Sequence, residues 1–370
     1  MRGVALRMLA WAVMVGLVFG ACTTAETSPT TTATPPSPST TDTAPPGSAL
    51  ESTPVPSAEV TTTEPAASAT TTTRSDRVVY VVVAEEEAGR LAIFEPAGPC
   101  VDEATSSCEV PVRLRVDLPE RPHNLAAVDG VVFVSHPAAG SISRVDLATG
   151  SIVTSVVGTE PHDIKYAPST RLLYVTDESG RRLLTVDPDT LQVLETVDLP
   201  AEPHDLAVVG DVIWVTLVGR SSLARVSGGE VEIISTGGLP HDLIVAVDGR
   251  VWFTNWGLPV LSVFDPETGS TVRAPAGVAE PHHFALAPDG AVWVSDNGGS
   301  SIVGFTEPQV AVEVGPVPHH LAFVGDTVVV AVSGSGQAVQ VRNGRVVGRT
   351  QLTPGLHGVA VIEVAGPLGE

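Results

Sequence analysis

Residues 281–305 read PHHFALAPDGAVWVSDNGGSSIVGF. Apolar and polar residues alternate after Pro281, Asp289-Gly290 marks a tight turn, residues 291–295 form a second strand, and a third strand follows a loop. The turn has a chemical basis: glycine reaches positive φ freely, and aspartate folds back onto its own backbone. The same opening, Pro-His-x-(Leu/Ile/Phe), starts at Pro122, Pro161, Pro203, Pro240, Pro281 and Pro318, in steps of 37 to 42 residues. A degenerate seventh copy, Leu356-His357-Gly358-Val359, comes 38 residues after Pro318. The copy from Pro240 runs on into Asp265-Pro266-Glu267-Thr268-Gly269, a turn signature ahead of a fourth strand. Four short strands in about 40 residues make a propeller blade. The repeat predicts an all-β fold, a seven-bladed β-propeller with four-stranded blades.

The blade count needs one join. Six full repeats run from Pro122 to about residue 352. Residues 78–118 supply three strands (78–83, 91–94 and 112–116) with no Pro-His strand of their own, and 356–364 supplies one strand with nothing after it. Joined, they form the seventh blade, so the ring closes through a C-terminal strand and loses its free sheet edges. The propeller is expected over 76–366, with 367–370 as a tail.

The N-terminal region reads differently. Arg2 and Arg7 precede an apolar stretch over 8–19 that is too short to span a bilayer. It ends in Phe19-Gly20-Ala21-Cys22, which resembles the bacterial lipoprotein box, with Phe19 where that family usually has Leu. Residues 1–21 are expected to be a signal peptide. The resemblance implies palmitate on Cys22 and an extracytoplasmic protein held to the membrane by its lipid anchor alone. Residues 22–75 are rich in Thr, Pro, Ser and Ala and cannot bury enough apolar surface to offset ordering entropy, so they read as a disordered stalk. Cys100 and Cys108 then form an even pair in an oxidising compartment, where a local disulfide is expected.

The net charge of −22 repels nucleic acid and anionic headgroups. The expected partners are a small molecule, a metal ion, or an exported protein or glycan, bound by a monomer. Trp214, Trp252 and Trp293 occupy equivalent second-strand positions and are expected to pack between blades.

All ten histidines fall at one rim of the predicted channel. His123, His162, His204, His241, His282, His319 and His357 open the innermost strands. His283 and His320 follow two of them, as Asn124, Asp163, Asp205 and Asp242 follow others. Second strands end at the same rim with His136, Asp177, Asn255 and Asp296, and Trp256 follows Asn255 where it is placed to stack on a ligand. The composite blade adds residues 85–87.

Within this pattern, Pro-His-x-(Leu/Ile) followed by Asp-Gly-x-Val-Trp-Phe-Thr resembles the virginiamycin B lyase family and, more broadly, YVTN- and NHL-type propellers. Tyr174-Val175-Thr176-Asp177 and Trp252-Phe253-Thr254-Asn255 carry the likeness. The resemblance implies a rim histidine as general base and a magnesium ion held by glutamates after the Trp-Phe-Thr string. Here the matching ends are Asp177, Leu217, Asn255 and Asp296, with no glutamate among them.

Three readings of the rim compete. In the first, each histidine is a repeated structural contact, since buried polar side chains are usually satisfied within the fold. In the second, the seven repeat histidines bind a divalent metal (Cu, Zn or Mg), because imidazole suits d-block ions and nearby carboxylates orient it. In the third, His241 or His282 is the base of a metal-dependent lyase or lactone hydrolase, since histidine beside aspartate titrates near neutrality. In the last two, His136, Asp177, Asn255, Trp256, Asp296, His283 and His320 line the ligand site.

Overall fold

The computed structural model describes residues 77–96, 108–273 and 277–368. The expectations for Cys22, Cys100, the signal peptide and the stalk lie outside the described residues. Seven antiparallel sheets surround a common axis, as the repeat predicts, with strands taken in chain order within each full repeat. Blades 1 to 6 cover residues 125–156, 161–198, 202–235, 240–273, 281–313 and 318–351. The closing blade orders its strands Leu356–Ala365, Arg77–Glu85, Arg90–Phe94 and Leu114–Asp117.

Closure is made by the pairing of Arg77–Glu85 with Leu356–Ala365, in register from Arg77↔Ala365 to Glu85↔Leu356. The Arg77–Glu85 strand is an unbroken apolar run because both its faces are covered. Tyr80 and Val82 pack with Val132, Val134 and Val145 of blade 1. Val81 and Val83 pack with Val329, Ala331 and Ala338 of blade 6. Each valine so buried contributes about 2 kcal/mol. Leu368, placed in the tail by the sequence reading, is buried in the first of these clusters, and its N–H donates to the Tyr80 hydroxyl at 2.9 Å.

The three tryptophans do bridge blades. Ring centroids lie 5.8 Å apart for Trp214 and Phe264, 5.3 Å for Trp252 and Phe305, and 6.0 Å for Trp293 and Phe323. A Cβ on Gly304 would come within 2.4 Å of the Trp293 ring, so glycine there makes room for it. One strand was not anticipated. Cys108–Glu109 lies in the chain between the third and fourth strands of the closing blade, yet it pairs in parallel with Arg345–Gln351 and covers the outer edge of blade 6.

Candidate functional site

The site begins with a backbone irregularity. In blade 2, Pro161 pairs with Asp177 and Ile164 with Val175, so His162 and Asp163 together oppose Thr176 alone. Such a bulge turns two successive side chains that alternation would send to opposite faces. The same shift places His204 and Asp205 against Thr216, His241 and Asp242 against Thr254, His282 and His283 against Ser295, and His319 and His320 against Ala331. In the closing blade, His357 and Gly358 oppose Ala84. Both members of these pairs, Gly358 excepted, line the channel, in two tiers.

The opposing hydroxyl holds the bulge. The N–H groups of Asn124, Asp163, Asp205, Asp242 and His283 donate to Ser135, Thr176, Thr216, Thr254 and Ser295 at 2.9–3.0 Å. Ser135, Thr176 and Thr216 also donate to the backbone carbonyls of His162, His204 and His241 in the following blade, at 2.6, 2.7 and 2.6 Å. Each of these hydroxyls ties two blades together at the channel wall. Of the hydroxyl residues that hold the bulges, only Thr176 and Thr254 belong to the family resemblance in the sequence, and the resemblance gives them no role. Their signal was the hydroxyl that precedes the last residue of five second strands.

The outer tier is a closed ring of the seven repeat histidines. Going round from His123, successive centroid separations are 4.5, 4.1, 3.8, 5.2, 4.2 and 4.3 Å, and 3.5 Å from His357 back to His123. A regular heptagon with such sides puts the ring centroids about 5 Å from the axis, whereas a zinc–nitrogen bond of about 2 Å brings a ligating centroid to about 3 Å from the ion. A single axial ion shared by all seven is therefore excluded, and coordination falls to neighbouring subsets. The Nδ1 atoms of His162, His204, His282 and His357 are buried and accept or donate no hydrogen bond among the described residues. Burial and then the His123 charge push His162 down to about 3. Burial first, and neighbouring imidazoles second, also hold His204, His319 and His357 well below the usual histidine range. Burial lowers His282 too, against the pull of Asp242. These five rings are neutral at pH 7.

The inner tier is sided. Asp163, Asp205 and Asp242 form an acidic arc, and His283 and His320 stand on another. Lys165 reaches Asp163 at 2.7 and 2.8 Å and Asp205 at 3.5 Å. Burial works against the Asp163 carboxylate, but Lys165 outweighs it and holds the group low. Burial and the adjacent Asp163 charge push Asp205 well up. Asp205 accepts from the N–H groups of Leu206 and Leu243 at 2.9 and 2.8 Å, joining blades 3 and 4. Asp242 stays ionised against burial because His241 and His282 face it, with Nδ1 at 3.0 and 3.3 Å.

Above the ring a mouth of about 450 Å³ is lined by Glu86, Glu160, Glu178, Arg121, Trp256 and ring histidines. Burial and the nearby Glu160 push Glu178 up to about 7. Trp256 is 58% exposed, and its ring lies 4.3 Å from that of His241.

The second-strand ends share the rim but turn away from the channel. Asp177 accepts from the N–H groups of Thr159 and Glu160 at 2.9 and 2.7 Å and from Arg182. Asp296 accepts from Ala279 and Glu280. Asn255 accepts from Leu239 at 3.1 Å, and His136 pairs with the Arg121 carbonyl at 2.9 Å. All four are buried and hold the loops that enter the first strands. His283 and His320 do line the channel, although His283 uses Nδ1 to accept the Phe284 N–H at 2.8 Å.

Four groups bring ligand atoms within 4.8 Å of one another: His319, His320 and His357; His204, His241 and Asp242; Glu86, His123 and His357; and His162, Glu178 and His204. The first two reach into the inner tier, and the last two take a glutamate from the mouth.

No protein-family model matches the chain, and no curated protein matches it in sequence. Similar solved structures show the fold alone. Virginiamycin B lyase from Staphylococcus aureus is 16% identical over 64% of this chain and 87% of its own, with a TM-score of 0.58. A catalytically inactive His-to-Ala variant of that enzyme, solved with quinupristin, is 17% identical over 70% and 93%, at 0.56. A protein of unknown function from Desulfotomaculum acetoxidans is 13% identical over 76% and 98%, at 0.62.

Proposed function

We propose that this chain is an exported, lipid-anchored propeller that binds a d-block metal ion, copper or zinc, at the neck of its channel. The carrying observation is the closed imidazole ring in which four buried Nδ1 atoms make no hydrogen bond among the described residues, that of His282 having only the Asp242 carboxylate at 3.3 Å. Purely structural histidines are expected to find hydrogen bonds, since an unsatisfied buried polar atom costs about 1–3 kcal/mol. Neutral imidazole is the form that ligates Cu and Zn, whereas Mg prefers an oxygen cage. The test is chelator competition with tag-free protein. Tight, stoichiometric Zn²⁺ or Cu²⁺ binding is expected, weakened at least tenfold in His204→Ala/His319→Ala. Binding no tighter in the wild type than in that variant would reject the site. Palmitate labelling abolished by Cys22→Ala tests the anchor. Mass mapping without reductant tests the Cys100–Cys108 disulfide.

A second reading has its own support. The mouth has the size of a small-molecule pocket, walled by Trp256, and the fold likeness includes a lyase whose His-to-Ala variant is inactive. In that reading the chain is a metal-dependent lyase or lactone hydrolase. Turnover of a streptogramin or lactone panel, lost in His241→Ala or His282→Ala, is its signature. Turnover unchanged in both variants would exclude those residues as the base.

A further inference from the structure

The four ligand groups are not independent. His357 belongs both to the inner set with His319 and His320 and to the outer set with Glu86 and His123. His204 belongs both to the inner set with His241 and Asp242 and to the outer set with His162 and Glu178. Each outer set places a glutamate on the mouth, and each inner set reaches the deeper tier. We propose that the channel carries two separate metal tracks, each an outer glutamate-containing position that hands its ion to an inner position through one shared histidine. This rests on the metal-binding reading above.

The tracks lie on different arcs. One uses blade 6 and the closing blade, with blade 1 supplying His123. The other uses blades 3 and 4, with blade 2 supplying His162 and Glu178. The arcs adjoin at one end, where Nε2 of His123 and Nε2 of His162 lie 2.9 Å apart, and are parted by His282 at the other; each outer set closes on its own glutamate, Glu86 or Glu178. A shared imidazole keeps one ring orientation and one donated lone pair at a time, so the outer and inner positions of a track exclude each other. The capacity is two ions per chain, not four.

The inner positions differ in chemistry. His319, His320 and His357 offer nitrogen alone; Nδ1 of His319 and Nδ1 of His320 share a proton across 2.7 Å, which an incoming ion displaces. His283 stays outside this set: it belongs to none of the ligand groups, and its Nδ1 is taken by the backbone N–H of Phe284. The other track ends on two nitrogens and a carboxylate oxygen. Softer copper favours the first set, and zinc accepts either.

Zinc titration of the tag-free protein, read by elemental analysis, tests the scheme. Two ions per chain are expected, one in His320→Gln, one in Asp242→Asn, and none held tightly in the double variant. Glu178→Gln and Glu86→Gln should each slow one phase of stopped-flow association several-fold and leave the stoichiometry at two. One ion in the wild type, or four, overturns the two tracks while leaving metal binding intact. No bound ion in the wild type overturns the metal-binding reading itself. Should a variant fail to fold, EPR of the Cu²⁺-loaded wild type answers the same question. Two signals, one with three and one with two nitrogen couplings, support the tracks, and a single signal at full loading overturns them.

Discussion

The two tiers of the channel are made by adjacent residues of the same strands, yet they do opposite work. The outer tier repeats one residue seven times and leaves four ring nitrogens without a hydrogen bond among the described residues. The inner tier has diverged to Asn124, Asp163, Asp205, Asp242, His283, His320 and Gly358, and several of its polar groups hold neighbouring blades together. Duplication explains why a residue recurs, but it does not explain why the recurring one is underused while the divergent ones are bonded. The difference assigns most of the ligand capture to the outer tier, with His320 and Asp242 joining it from an inner tier whose other carboxylates serve structure.

The sharpest way to break this division is acid. His162 and His283 have folded values of about 3 and about 4, below the ~6.5 of an unfolded histidine. Above pH 6.5 both states are neutral and neither group contributes a pH dependence. Below it the unfolded chain binds protons that the folded chain refuses, so stability falls as pH drops toward the folded values. The slope is about 1.4 kcal/mol per pH unit for each such histidine. These two histidines alone should cost the metal-free protein on the order of 5 kcal/mol between pH 6.5 and 4, with the other depressed ring histidines adding to it, measured by urea unfolding. His162→Ala should flatten that limb. An unchanged slope would mean the outer ring is more solvated than its burial implies.

The next contrast is between neighbours in one blade. Asp205→Ala removes the acceptor for the Leu243 N–H and leaves Lys165 with less compensation, a cost of about 2–4 kcal/mol. Asp205→Asn keeps one of the two accepting oxygens and should cost less than the alanine, about 1–2 kcal/mol, because the native carboxyl is pushed toward its neutral form. His204→Ala, one residue away, should change stability by no more than about 1 kcal/mol while weakening metal binding. Equal losses at residues 204 and 205 would erase the distinction between tiers.

The repeat made much of this legible beforehand. Seven openings, steps of about 40 residues, three unmatched strands at one end and one at the other marked the blade number and the closure, and they gathered the histidines at one rim. The bulge was not legible, because period-two alternation sends adjacent residues to opposite faces and nothing in the pairs His-Asp or His-His announces the shift. The fates of Asp177 and Asp296 were hidden for a related reason. The pattern located them at the correct end of the strand, but the loop N–H groups that claim their oxygens belong to segments with no periodicity. The Cys108–Glu109 strand is two residues long and pairs with a different blade, so no local pattern specifies it.

The hydroxyls that brace the bulge give a smaller effect. Thr216→Val keeps the shape of the side chain and removes both the acceptor for the Asp205 N–H and the donor to the His241 carbonyl. About 1–2 kcal/mol should be lost, seen as a lower urea midpoint at constant slope. The change also frees the backbone that aims His204 and His241, so metal binding should weaken alongside stability. Ala331 and Ala84 are a natural comparison, since their blades bulge without a hydroxyl. Ala331→Ser should therefore be tolerated if the space allows, and a gain in stability there would show that the hydroxyl is an addition to the bulge and not its cause.

The smallest expected effect on stability is at Trp256. Its ring leans on His241 from the solvent side and is more than half exposed, so Trp256→Ala should move the unfolding midpoint by less than about 0.5 kcal/mol. Its effect on ligands separates the two functional readings. A bare ion meets imidazole and carboxylate and has no use for an indole at the lip, so zinc affinity should stay within about twofold. An organic substrate in the 450 Å³ mouth would lie against that indole, and losing a stacking surface costs about 0.5–1.5 kcal/mol, near tenfold at the upper end. Trp256→Ala that leaves zinc binding alone but abolishes turnover of a lactone would place the metal in service of catalysis. The same variant without effect on either would leave the histidine tier as the whole of the site.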